Sequence, residues 1–202
     1  MTEITRLKQT KQGRIALFSH DDFLFSVSVE TLADFGIEEG SCLHEGELSS
    51  LKAAGDTAKA KAAALRLLSR RAHSEAELRE KLARRYDEDT CAAAAAQLRE
   101  LGLLDDAAFA CQRAEALAEK GKSRREIAMR LNALGVERAL VQQALENLEA
   151  DELTAATAVV RKSYLPRLAA GQRQQVMAAL ARRGFDHGTI VAALEAAGEA
   201  EE

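Results

Sequence analysis

From Thr57 onward, apolar side chains recur at helical spacing, and they recur in columns. Leu78 and Leu82 place one leucine per turn on one face of a short helix. Shifting the chain along itself by 49 residues brings Ile127 and Leu131, then Val176 and Leu180, into the same two positions. At that shift Gly135 also meets Gly184, Val136 meets Phe185, Val141 meets Ile190 and Leu145 meets Leu194. Agreement in so many independent columns marks an internal repeat. A period of about fifty residues holds three short helices with their turns. The pattern predicts helices at 58–72, 74–86 and 89–101, at 106–120, 123–134 and 137–149, and at 151–165, 172–183 and 187–197.

Local signals agree with the periodicity. Ser74 followed by Glu77 is a capping box, in which the serine oxygen takes an amide of the first turn while the glutamate reaches back. Ser123 and Glu126 repeat the device, and Gln172 stands in the equivalent third place. A lone three-helix unit so rich in alanine buries little, so the units are expected to stack into an elongated, curved rod.

Residues 1–50 have a different texture. Arg14–Ser19 and Asp22–Ser28 are β-branched and aromatic, with His20-Asp21-Asp22 as a hairpin connection. Val29–Phe35 reads as a short helix stopped by Gly36, and Glu47–Ala54 as another stopped by Gly55. The fold expected is mainly α, a set of tandem three-helix repeats behind a small β-rich N-terminal module. Its parts are the module at 1–56 and repeats at 57–104, 105–150 and 151–202.

Composition supports helices packed closely: the chain is 47% hydrophobic, much of that alanine, and only 4% aromatic. The 28 lysines and arginines face 32 aspartates and glutamates, a formal charge of −4, so the chain is no polycation. Residues 1–56 hold five basic and ten acidic side chains, a net of −5, which leaves −4 − (−5) = +1 for the remainder. Cys42, Cys91 and Cys111 are odd in number and widely spaced, which suits a reducing compartment and suggests neither a disulfide framework nor a zinc site. With no apolar signal at the start and no stretch near the ~20 apolar residues of a membrane span, a soluble protein of the cytoplasm is expected; a monomer is a separate expectation.

Candidate chemistry thins out under inspection. Gly121-Lys122-Ser123 matches the end of a phosphate-binding loop, but that loop needs a glycine where Ala116 stands and a strand before it. A glycine ending one helix and a serine capping the next account for all three residues. Asp105 and Asp106 precede a helix, where carboxylates cap and meet the positive dipole end. His20, His44, His73 and His187 lack metal-ligand spacing. No catalytic residue, metal ligand or cofactor is therefore expected. Basic pairs recur at Arg70-Arg71, Arg84-Arg85, Arg124-Arg125 and Arg182-Arg183; helix C-termini account for Arg84-Arg85 and Arg182-Arg183, whereas Arg124-Arg125 sits in a first turn where the helix dipole opposes it and so hints at a negative partner.

The string from Ala64-Leu65 to Arg70, then His73-Ser74-Glu75 with Glu77, Leu78, Lys81 and Leu82, then Leu101-Gly102-Leu103-Leu104-Asp105-Asp106 with Phe109, resembles the RecX family of regulators of the RecA recombinase. Lys120-Gly121 before the second capping box continues the likeness, which spans roughly 58–197. The resemblance implies a non-enzymatic modulator that lies in the groove of the RecA–DNA filament and inhibits ATP hydrolysis, strand exchange and co-protease activity. Arg70, Arg71, Arg79, Lys122, Arg124 and Arg125 are the expected contacts to protein acids or DNA phosphates. His73, Ser74, Glu77, Leu78, Lys81, Leu82, Asp105, Asp106 and Phe109 are expected to be structural. A direct binder of single- or double-stranded DNA, acting by competition for DNA, is the rival reading.

Overall fold

A computed structural model of the chain describes residues 1–149 and 151–198. The fold is mainly α, with two small antiparallel sheets at the N-terminal end. It divides into two compact units, Met1–Leu104 and a second that begins at Asp105.

In the first unit, β2 (Arg6–Gln9), β3 (Ile15–Ser19) and β4 (Asp22–Val27) form an antiparallel meander, and β1 (Thr2–Glu3) pairs with β5 (Cys42–Leu43). The β3–β4 hairpin turns at His20-Asp21, as the sequence predicts, with His20 at φ 55°. α1 (Val29–Asp34) is capped by Ser28, whose oxygen accepts the Thr31 N–H at 3.1 Å, and ends before Gly36. Strand β2 was not predicted, because Arg-Leu-Lys-Gln offers a single apolar residue to a period-two pattern. One face of the meander is dry: Leu17, Phe25 and Val27 are buried with Ile4, Ile37, Leu43 and Leu51.

Leu51 belongs to α2 (Glu45–Leu68), a continuous helix of 24 residues that runs through the stop expected at Gly55. The reason is close packing. A Cβ at position 55 would lie 2.6 Å from Val27 Cγ1, so glycine is present for proximity to the sheet rather than to end a helix. Glycine inside a helix costs about 1 kcal/mol relative to alanine, and the burial of Val27 against α2 offsets it. Arg14 reinforces the join, its guanidinium donating to the Ser26 carbonyl at 2.7 Å and the Gly55 carbonyl at 3.3 Å. The boundary expected at 56/57 thus falls inside one helix that serves both the sheet and the first repeat.

That repeat is completed by α3 (Glu75–Leu82) and α4 (Glu88–Glu100). Ala64 of α2 meets Leu78, Leu82, Cys91, Ala95, Leu98 and Leu104 in a compact core. Ser74 caps α3, accepting the Glu77 N–H at 3.1 Å, and Asp87 caps α4 through the Thr90 N–H at 2.8 Å.

The second unit holds two further repeats. The first comprises α5 (Asp106–Ala118), α6 (Arg124–Ala133) and α7 (Arg138–Glu146), with Phe109, Ile127, Leu131, Val136 and Val141 in its core. The next comprises α8 (Glu152–Ser163), α10 (Arg173–Arg182) and α11 (His187–Gly198), with Val160, Val176, Leu180, Phe185, Ile190 and Leu194 inside. The predicted helix 151–165 stops at Ser163, and a short extra helix, α9 (Leu165–Ala169), follows. Pro166 accounts for the break: in a continuous helix it has no N–H for the Lys162 carbonyl and its ring would clash with that carbonyl, whereas in the first turn of α9 the missing N–H costs nothing. The apolar columns seen in the sequence lie in these cores, with Leu145 half-buried at the edge, and the Gly135/Gly184 column forms the turns, at φ 73° and 89°.

Candidate functional site

The two repeats of the second unit have separate apolar cores, and a set of polar contacts joins them. Ser123 Oγ accepts the Glu126 N–H at 3.1 Å and donates to the Arg183 carbonyl at 2.7 Å, tying the start of α6 to the turn after α10. Gly184 follows at φ 89°, and a Cβ there would fall 2.7 Å from Ser123 Oγ and 3.3 Å from Arg125 Cβ. Only glycine tolerates both the conformation and the approach. Arg124 makes three bonds, the first to the next repeat and the other two within its own. Its backbone N–H donates to Glu152 Oε1 at 3.0 Å, and its guanidinium donates to the carbonyls of Leu145 at 2.5 Å and Leu148 at 3.1 Å. A charge disfavoured by its own helix is thereby placed on the negative end of α7.

Beside this junction lies a cleft of about 540 Å³ lined by Lys122, Arg125, Glu126, Met129, Ala181, Arg182, Arg183 and Gly184. Four cations face one carboxylate. Glu126 receives Lys122 Nζ at 3.0 Å and Arg130 at 2.7 Å. Burial would push its carboxyl up, but hydrogen bonds from Lys122 and Arg130 outweigh it and hold the group below the usual carboxylate range. Arg183 packs its guanidinium 5.5 Å from the Tyr164 ring. Arg125 and Arg182 are exposed and form no ion pair or side-chain hydrogen bond among the described residues. Unsatisfied guanidinium forks beside a hollow suit carboxylates and phosphates, which they bind in bidentate fashion. A larger hollow of about 1160 Å³ in the same unit mixes Lys120, Lys162 and Arg183 with Glu115, Glu119, Glu149 and Asp151, and so selects neither sign.

In the first unit, most of the expected contact residues are already paired. Arg71 forks onto both oxygens of Glu77. Arg79 joins Glu88 and approaches Glu75 at 3.7 Å. Lys81 lies 3.6 Å from Glu77. Arg70 is exposed and makes no side-chain contact of this kind among the described residues. His73, Ser74, Leu78 and Leu82 are buried, and the His73 Nδ1–H donates to the Arg71 carbonyl at 2.9 Å. Asp105 caps α5 through the Ala108 N–H at 2.9 Å, Asp106 opens that helix, and Phe109 is in its core.

The Arg71 hydrogen bonds, with Arg71 and Lys81 as nearby positive charges, hold the Glu77 carboxyl below its ordinary value against the pull of burial. A depressed carboxylate stabilises the fold above its unfolded pKa of about 4.3, and the contribution is lost as pH falls through the lower, folded pKa. Denaturation of wild type and Glu77→Gln is therefore expected to differ at pH 7 and to converge in acid, once the pH has fallen below the folded pKa of Glu77. An equal gap at both pH values would show that the ion pair is not the source.

Arg182 and Arg183 escaped sequence reasoning because helix C-termini attract arginines for dipole reasons alone. Their approach to Lys122 and Arg125 crosses some 60 residues of chain, as the Ser123–Arg183 bond shows. Within the linear pattern, only the aligned Gly184 pointed to that turn.

The arrangement can be set beside known proteins. Family models of the RecX first and second three-helix domains match residues 60–98 and 105–145. A Levilactobacillus brevis protein named regulatory protein RecX is 32% identical over 194 residues, covering 93% of this chain and 73% of that one. The chain belongs to the RecX family. A Halorhodospira halophila RecX is 38% identical over 143 residues, 69% of this chain and 89% of its own. A crystal structure of a regulatory protein RecX superposes with a TM-score of 0.75 at 21% identity, covering 94% of this chain and 97% of the other, which establishes the shared fold. These relatives are named as regulators rather than as enzymes. Among the described residues no helix is long and apolar enough to cross a membrane.

Proposed function

We propose that this chain is a non-enzymatic regulator that binds RecA and its DNA filament and inhibits ATP hydrolysis, strand exchange and co-protease activity. It acts as a cytoplasmic monomer. Membership of a family of regulatory proteins supports the role, and the observation that carries the site is the cleft at Lys122, Arg125, Arg182 and Arg183, with two guanidinium groups unspent. Arg70 is a further available cation. Arg71, Arg79 and Arg124 spend their charge inside the chain and shape the surface rather than reach across it. Repeated modules with weak separate contacts gain affinity on a polymer by multivalency.

Direct DNA binding by competition is the second reading, favoured by the same cationic cleft. Co-sedimentation with RecA filaments preassembled on single-stranded DNA separates the two. Filament binding predicts that the chain pellets with RecA while RecA stays on the DNA. Release of RecA in proportion to added chain, with the chain pelleting on DNA, would support competition instead.

A further inference from the structure

The N-terminal module carries a net charge of −5, yet the outer face of its sheet is free of acids. The register pairs Arg6 with Phe18, Lys8 with Ala16, and Phe18 with Phe23, and it places these residues on the face opposite Leu17, Phe25 and Val27. Asp22, the acid of the three strands, pairs with Ser19 and alternates to the other face. The Arg6 guanidinium lies 4.4 Å over the Phe18 ring, and Phe18 meets Phe23 edge-on at 5.7 Å. Phe23 is 60% exposed, in a chain with few aromatics to spare.

We propose that this face is a stacking platform for single-stranded DNA. An exposed ring accepts a base on its π-face whatever the sequence, a guanidinium plane accepts another, and adjacent cations hold the phosphates. Phe23 supplies the ring, Arg6, already stacked on Phe18, supplies the plane, and Lys8 on the same strand and face supplies a phosphate contact. Duplex DNA does not fit, because its bases are not free to stack. Strand addition to the β2 edge does not fit either, since Glu39 Oε1 already accepts the Leu7 N–H there at 2.7 Å. The choice of DNA over RNA rests on the filament reading above, and the platform itself does not.

The test uses the full chain, without RecA, and a fluorescent oligo-dT of about twenty nucleotides, a length that exceeds the site size of one small single-strand module. Anisotropy titrations over a salt series should show Phe23→Ala and Arg6→Gln each weakening binding roughly tenfold. Lys8→Gln should lower the salt slope by about 0.7, one single-strand phosphate, and Phe23→Ala should leave it unchanged. Phe23→Tyr should bind as wild type, which guards against loss of fold. Wild-type affinity in both Phe23→Ala and Arg6→Gln, or equal competition by a duplex of the same length, would overturn the platform and leave the filament reading standing. Tighter binding of oligo-U, lost in the same variants, would overturn the choice of DNA.

Discussion

Arg124→Ala is expected to destabilise the second unit by about 2–4 kcal/mol, less than the roughly 3–6 kcal/mol that two hydrogen bonds from a charged donor sum to, because the freed carbonyls regain some water. The carbonyls of Leu145 and Leu148 regain water only in part, because Leu148 is buried and Arg124 itself is half-buried. The Arg124 N–H to Glu152, at the start of α8, survives the substitution, so the damage should centre on the end of α7. Hydrogen exchange of amides in α6–α8, read beside urea denaturation, locates the effect. Arg124→Lys should recover only part of the loss, because an ammonium lacks the planar fork that reaches two carbonyls at once. A change within about 0.5 kcal/mol, the range of ordinary surface substitutions, would mean that the end of α7 is held by something else.

The second large effect concerns the cleft. Arg125→Glu with Arg182→Glu replaces two unpaired cations by anions beside Lys122 and Arg183, which reduces the charge of the lining from four cations and one acid to two cations and three acids. Both side chains are exposed and make no internal ion pair among the described residues, so stability should be unaffected, with circular dichroism and melting unchanged. Binding to an acidic or phosphate-bearing partner should weaken about tenfold to a hundredfold, or about 1.4–2.8 kcal/mol. The loss should shrink as salt rises, since rim charges act through screened fields.

How much of this was legible in the sequence follows from how local each feature is. Caps and turns are local, so Ser74, Ser123, Asp105 and Gly36 could be read directly. Core columns are periodic, so Leu78, Ile127 and Val176 could be read from repetition. Gly55 could not, because a glycine that ends a helix and one that admits a valine from a neighbouring sheet look alike until Val27 is placed. Arg124 showed the right anomaly, a cation at a positive helix end, but its partners are main-chain carbonyls that no sequence pattern displays. The cleft was half legible: Lys122 and Arg125 stood out, while Arg182 and Arg183 reach it only through the fold. The outer sheet face was hidden by its module's net negative charge, which says nothing about how charges divide between two faces.

The proposed restraint of RecA through the cationic cleft should be visible in DNA-dependent ATP hydrolysis by the RecA of the same organism. The wild-type chain, added up to equimolar amounts, should depress hydrolysis progressively, and the Arg125→Glu, Arg182→Glu chain should need about ten to a hundred times more for the same effect. Hydrolysis that stays unchanged with the wild-type chain would contradict the regulatory reading, and equal inhibition by both chains would contradict the cleft.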